Sequence, residues 1–487
     1  MGGQDGGQVA AAEATGHAAG QAATPEATRR GAARAAGPEA TERVAVDFAG
    51  EGAGVDEMSW GMWEIWHAMQ GQRSALPIGG RAPLEAGTTL AGLAEELRYL
   101  MGRFPSMRTR LRFDDRGRPT QQLFATGRTV LEVYDAADGD DPDDVAAAVE
   151  DHYRRTVFDY ADDWPVRMGA VRKHGRPTHL VTVMHHLVTD ALGGALMLRE
   201  VRARQTAPAA GLQQLDQARW QRSPAGQRQN DRALRYWESV LRAVPARQLP
   251  GPSDPRSPRH WDADFRSPAL TAALPVIAGR TGAAMTTVLL ALFAVALHRT
   301  TGINPVAVRP VVNNRFRPGL ADVVCMVAQA GGCLLDVEDA TVEEAVQRAG
   351  SATLSAYKHA YFHPERLREL TARVSRERGE DVEVGCFFND RSAHLPPPDG
   401  QDMTAEQLAR TLRTAPAGST FTWTARHDIP AERLFVTAED VPEGLRLEIR
   451  IDTHFISPAE AEALARAWEA VAVEAALAPA VPAGTGR

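Results

Sequence analysis

Apolar and polar positions divide the chain into segments of different period. From Met1 to about Glu42 the residues are Gly, Ala, Gln, Thr and Glu with almost no bulky apolar side chain. Such a segment cannot bury enough surface to offset the entropy of ordering, so residues 1–42 are expected to be a disordered tail, with structure beginning near Val44. Trp60, Trp63 and Met69, with Met62 and Trp66 one turn apart, predict a largely buried helix, and Leu90 to Met101 predicts a second. After the turn signal His174-Gly175-Arg176-Pro177, the β-branched run from His179 to Met184 predicts a buried strand. Leu192 to Val201 is apolar-periodic and predicts a helix, with Asp190 where an N-cap would accept from the first free N–H groups.

From Gln205 to about Pro268 the chain turns rich in Gln, Arg and Pro around one amphipathic piece, Arg232 to Leu241, and reads as a connection between domains. Leu270 to Arg299 predicts two helices, the second very apolar. Pro305 to Val312, Val382 to Phe388, Arg433 to Thr437 and Leu445 to Ile451 predict strands, and Pro458 to about Leu477 a closing helix. No short-period repeat is present, and both halves mix helices and strands in similar amounts.

Composition narrows the class. With 44% hydrophobic and 24% charged residues, the chain is neither a coiled coil, a collagen-like fibre nor wholly disordered. Its 487 residues, at roughly 100–200 per domain, predict two or three units, two being the working number. A formal charge of −8 leaves no general affinity for the nucleic-acid backbone. The longest strongly apolar stretch, Val288 to Leu297, is about half the ~20 residues of a membrane-spanning helix, so no membrane association is expected. Cys325, Cys333 and Cys386 are too few and too oddly numbered for a disulfide framework, and no secretory apolar core opens the chain. A reduced, cytoplasmic protein is the expectation.

The chemistry-bearing residues lie where the predicted strand meets the predicted helix: His185, His186 and Asp190. Adjacent strand residues face opposite sides, so both histidines reach one cavity only if the strand has already ended. A histidine there, titrating near neutrality with a carboxylate four residues on, suits a general base or proton relay. Three other readings compete. A histidine in an apolar neighbourhood is commonly a satisfied core residue. Metal ligation would need more ligands than one His and one Asp, and no HExxH or paired-Cys spacing supplies them. The aspartate can serve purely as a cap.

His185-His186-Leu187-Val188-Thr189-Asp190 resembles the HHxxxDG motif of the condensation domains of nonribosomal peptide synthetases and of related acyltransferases that use carrier proteins or coenzyme A. Met58 to Trp66 resembles the family's opening motif and Phe104 to Leu111 its second. Phe158-Asp159 and Trp164 to Arg167 resemble the approach to the histidine strand. Thr286 to Gly302 resembles the family's buried helix, and Val311 to Arg315, ahead of Val323 to Met326, the segment before its floor strand. The order is the family's from about Val55 to Ala475.

The resemblance implies an α/β fold of two chloramphenicol-acetyltransferase-like subdomains in a V-shaped pseudodimer with a tunnel between them. Its parts would be a tail at 1–42, an N-terminal subdomain at 43–225, a C-terminal subdomain at 226–480 and a flexible end at 481–487. It implies a free-standing condensation enzyme of natural-product or antibiotic biosynthesis. The acyl or aminoacyl group would pass from the phosphopantetheine thioester of an acyl or peptidyl carrier protein to an amine or alcohol, itself a small molecule or carrier-bound, with no bound cofactor or metal. A coenzyme-A-dependent acyltransferase and a non-catalytic recruitment domain of the same fold are the alternatives. By the resemblance, His186 would take a proton or hold the tetrahedral intermediate, and His185 would orient the loop. Asp190 would pair with Arg315 across the domain junction. Substrate contacts would fall to Ala191, Gly194, Met62 and Gln329. The chain departs from the family at Ala191, in place of the motif glycine, at Met62, in place of glutamine, and at Gln329, in place of the floor asparagine. An acidic carrier would need a local basic patch, for which Arg199, Arg202 and Arg204 are candidates, although a solvated helix face explains them as well.

Overall fold

The computed structural model describes residues 37–245, 248–249, 251, 256–392, 404–442 and 444–484. The predicted tail therefore lies mainly outside the described residues. At its end the prediction is corrected, because Glu42 already belongs to the strand Glu42–Ala49 and the Thr41 hydroxyl donates to Asp135 at 2.9 Å.

By internal contacts the chain forms two compact units. The first holds the residues up to Ser223 together with Arg315–Val327, and the second holds Pro224–Asn314 and the residues from Ala328 onward. The expected boundary at 225 is close, but a contiguous second subdomain from 226 is not what forms, since Arg315–Val327 returns to the first unit.

The first unit is built on a five-stranded sheet in the order Glu42–Ala49, Thr126–Ala136, Val166–Lys173, Arg176–Met184, Ile78–Pro83. Only the pairing of Thr126–Ala136 with Val166–Lys173 is parallel. Both faces are covered. The helix Leu90–Arg103 buries Leu93, Leu97 and Met101 against Val46, Leu131, Met168 and Met184, and the helix Pro142–Arg155 sets Val149 and Tyr153 against Val171, Val181 and Val183 on the other side. Between them, Val181, Val183 and Met184 are buried and Leu180 and Thr182 half-buried. A smaller three-stranded sheet, Gly54–Glu57, Pro119–Leu123, Thr109–Phe113, completes the unit with the Trp-rich helix Trp60–Gly71.

The second unit carries an eight-stranded sheet that includes Val306–Val312, Cys386–Asp390, Leu434–Val441, Gly444–Asp452, His260–Ser267 and Thr420–His427. The helices Pro268–Thr281, Met285–Thr301, Val342–His359 and Pro458–Leu477 bury one core around Phe293, Phe388 and Trp468, whose ring centroids stand 5.0–6.1 Å apart. Val288 to Leu297 is buried at every position inside this core, and among the described residues no single helix is long and apolar enough to cross a membrane.

Two further expectations are corrected. The predicted connection at 205–268 contains the helices Gln214–Arg222 and Pro224–Ala243 and the strand His260–Ser267. These elements are amphipathic: their inner faces bury Leu215, Ala233, Trp237, Leu241, Ala263 and Phe265 together with the polar Gln214, Gln217, Gln221 and Asn230, while most of the arginines lie outward. Residues 481–484 are not a flexible end: Val481 accepts from the Val342 N–H at 2.8 Å, Ala483 donates to Ala340 at 2.7 Å, and the Ala483 side chain is fully buried.

Candidate active site

The motif strand ends at Met184 and the motif helix Ala191–Ala203 opens at Asp190, so His185 to Thr189 form the turn between them. Both histidines lie beyond the strand, and the face-alternation argument does not apply to them. The turn is anchored from three sides. The His185 N–H donates to Pro165 O at 3.2 Å, the His186 N–H to Ala75 O at 3.1 Å, and the Val188 N–H back to His185 O at 3.2 Å.

The two rings have different surroundings. His186 is half-buried. His185 is buried, with the rings of Phe158 and Tyr160 meeting it edge-on at 5.2 and 5.3 Å. Burial pushes its pKa down to about 3, and the nearby Arg167 guanidinium adds to the shift. Arg167 is itself fixed over the Phe158 ring at 3.7 Å and donates to the carbonyls of Tyr153, Thr156 and Val157. His185 is thus neutral at physiological pH and packed between aromatic rings. Because the fold resists its protonation while the unfolded chain takes up a proton near 6.5, stability is expected to fall as pH drops from about 6.5 toward 3. The slope from this one group is about 1.4 kcal/mol per pH unit. Denaturant midpoints of wild type and His185→Gln across that window check this, the variant lacking that part of the slope.

Asp190 is buried and holds three groups. Its Oδ1 caps the motif helix by accepting the Gly193 N–H at 2.9 Å. Arg315 Nη1 lies 2.7 Å from Oδ1 and 2.8 Å from Oδ2, and the Val327 N–H donates to Oδ2 at 3.1 Å. The second arm of Arg315, Nη2, donates to the carbonyls of Val323 and Cys325 at 3.1 and 3.4 Å. The expected pair therefore forms, with one correction. Arg315 and the segment it grips belong to the first unit, so the ion pair is internal to that unit and does not join the two.

Sequence reasoning missed Gly193. A Cβ there would stand 2.2 Å from Thr189 Oγ1 and 2.7 Å from Arg315 Nη2, whereas one on Gly194 meets only Thr189 Cγ2 at 3.8 Å. The helix start needs a glycine three residues after the aspartate so that the arginine can reach the carboxylate. Gly193→Ala is expected to destabilise the first unit by about 1–3 kcal/mol, measured by denaturant unfolding, and Gly194→Ala to be close to neutral. Ala191, where the motif has glycine, is exposed at the first helical position, and a methyl there meets the backbone's ordinary helical geometry.

The remaining predicted residues separate. Met62 is buried in the helix Trp60–Gly71 of the first unit and shares a small cavity with His185. Gln329 belongs to the second unit, where its amide donates to Phe362 O at 3.0 Å and accepts from Phe362 N at 3.4 Å, an internal brace. Of the basic candidates, Arg204 lies over the Tyr99 ring at 5.4 Å and 4.0 Å from Glu96, while Arg199 and Arg202 are exposed on the motif helix. The three cysteines are buried free thiols, each pushed up to about 12 by burial.

The condensation domain family model matches residues 66–414. The non-canonical nonribosomal peptide synthetase CymA of Salinispora arenicola is 25% identical over 342 residues, 64% of this chain and 4% of that protein. The chain spans 2–4% of the length of the first curated relatives it matches. Among solved structures, the condensation domain of chain release from the enacyloxin polyketide synthase superposes with a TM-score of 0.64 at 22% identity, covering 90% of this chain and 85% of that one. The X-domain from teicoplanin biosynthesis gives 0.65 at 19%, covering 88% and 96%. These two share the fold, which is the expected chloramphenicol-acetyltransferase-like one. With the family model matching well over half its length and the histidine turn intact, the chain belongs to the condensation-domain family.

Proposed function

We propose that this protein is a condensation enzyme that transfers an acyl or aminoacyl group from the phosphopantetheine thioester of a carrier protein to an amine or alcohol, making an amide or ester in natural-product biosynthesis. The observation that carries the reading is the braced turn: Asp190, held by Arg315 and by the N–H groups of Gly193 and Val327, fixes the backbone that presents His186. A recruitment domain has no need of this histidine.

The thioester is already activated, so the reaction needs approach and charge stabilisation more than a strong nucleophile. The acceptor nitrogen or oxygen attacks the thioester carbonyl, the C–S bond breaks, and the pantetheine sulfur leaves as thiolate. The acceptor's proton passes to His186 and from there to the thiolate, so the histidine returns to its starting state. A neutral amine mainly needs orientation, while an alcohol needs His186 as base. His185, neutral and enclosed, supports the turn. The carrier protein is a partner in this reading, and the cytoplasm its compartment.

Mass spectrometry of an acyl-loaded carrier before and after incubation with enzyme and acceptors tests the proposal. Enzyme-dependent loss of the acyl mass with appearance of the amide or ester is expected. Loss only from acyl-coenzyme A, or from no donor, overturns it.

A further inference from the structure

Beside His185 the first unit has a small, partly open cavity of about 10 Å³, whose lining includes Met62, Thr109, Arg110, Tyr160, His185 and Gln214. That volume matches the room one buried water needs. Three of the wall residues bring a buried polar atom with no hydrogen-bond partner among the described residues: His185 Nδ1, Arg110 Nε and Gln214 Oε1. A buried polar atom without a partner is costly, so a water that reaches all three is favoured over a dry cavity.

None of the three side chains is free to turn elsewhere. Gln214 Nε2 donates to Thr109 Oγ1 at 2.8 Å, and that hydroxyl donates in turn to Pro105 O at 2.8 Å. The threonine's proton is thereby committed, so the glutamine must present its nitrogen to it and its oxygen to the cavity side. Arg110 is stacked over Trp164 at 3.7 Å and lies 5.6 Å from the Phe124 ring centroid. His185 is flanked by Phe158 and Tyr160.

We propose that one buried water joins these atoms, and that Gln214 and Arg110 are positioning residues which hold the His185 ring, and with it the turn carrying His186, through that water. The inference rests on the proposed function, because its catalytic consequence is the placement of His186. The water accepts from Arg110 Nε–H and donates one proton to Gln214 Oε1 and the other to His185 Nδ1. This makes three hydrogen bonds, the usual number for an internal water. His185 then carries its own proton on Nε2. Met62 of the opening motif, Arg110 of the second and His185 of the histidine motif line this one cavity.

A crystal structure of the full chain at a resolution that shows ordered water is expected to place one water within hydrogen-bond distance of all three atoms. ¹⁵N spectra of the wild type should show His185 as the neutral Nε2–H tautomer. Gln214→Met, which keeps the bulk and removes the acceptor, should lower kcat on the order of tenfold with KM unchanged and mix the tautomers. Gln214→Asn, which keeps an amide and leaves room for water, should restore most of kcat. An apolar, water-free cavity, an Nδ1–H tautomer, or a Gln214→Met enzyme with full kcat overturns the proposal. If the water and tautomer are found while His186→Ala remains fully active, the role of His186 fails and the water-mediated support of His185 stands. If His186→Ala is inactive and the cavity is dry, the reverse holds.

Discussion

His186→Ala is expected to slow acyl transfer by roughly 10²–10⁴-fold while leaving the unfolding transition nearly where it was. The ring is half-buried, and the bond that anchors the residue, from its N–H to Ala75 O at 3.1 Å, is a main-chain bond that alanine retains. The two effects can therefore be separated in one variant. The loss should depend on the acceptor: largest for an alcohol, whose proton must be removed during attack, and smaller for an amine that arrives neutral, for which the side chain mainly orients. The measurement is the initial rate of acyl loss from a loaded carrier with each acceptor, alongside a denaturant unfolding curve. Wild-type rates in the variant would remove His186 from the chemistry and leave the turn as scaffold, as a recruitment domain would have it.

The second large effect concerns stability. Arg315→Met is expected to lower the unfolding free energy of the first unit by about 3–5 kcal/mol, because it strands a buried carboxylate. In the native arrangement, side-chain exposure is 10% for Arg315 and 7% for Asp190, so water can replace little of what the guanidinium supplies. The loss also frees the carbonyls of Val323 and Cys325, which loosens the segment whose Val327 N–H helps hold Asp190. Arg315→Met combined with Asp190→Asn should recover part of the loss. The asparagine carbonyl oxygen still accepts from Gly193, and no charge is left unpaired. Denaturant unfolding of the two single variants and the double variant forms a cycle. A single Arg315→Met variant within about 1 kcal/mol of wild type would mean that the pair is not the brace of this turn. Activity of Arg315→Met should fall with stability, since the turn that presents His186 has lost its anchor.

Elements whose burial repeats at one period were readable from the chain. The helix Leu90–Arg103 and the helix Pro458–Leu477 keep their apolar positions on one stripe, and the strand Arg176–Met184 lies between turns and buries Val181, Val183 and Met184 at its end. The long helix Pro224–Ala243 was only partly visible, as the piece from Arg232 to Leu241. Its first half exposes Gln227, Arg228, Asp231 and Arg232, and only Gly226, Asn230 and Ala233 face inward there, so too little apolar side chain marks the buried stripe. At the site, the six-residue motif pointed to His185, His186 and Asp190, and the resemblance supplied Arg315. Gly193 had a local signal in its spacing from the capping aspartate, whereas Gln214 had none.

The strand, turn and helix around the motif, the capping role of Asp190 and the resemblance of those residues to the condensation domains are legible in the chain alone, because each depends on neighbours within a few residues. Tertiary structure decided which histidine is enclosed. Phe158 and Tyr160, some 25 residues upstream in sequence, desolvate His185, while nothing local distinguishes it from His186. Tertiary structure also decided that Arg315 serves the first unit and that Gln214 stands beside a histidine it follows by 29 residues. Desolvation and hydrogen-bond partnership are properties of what surrounds an atom, and for these residues the surroundings are assembled from distant parts of the chain.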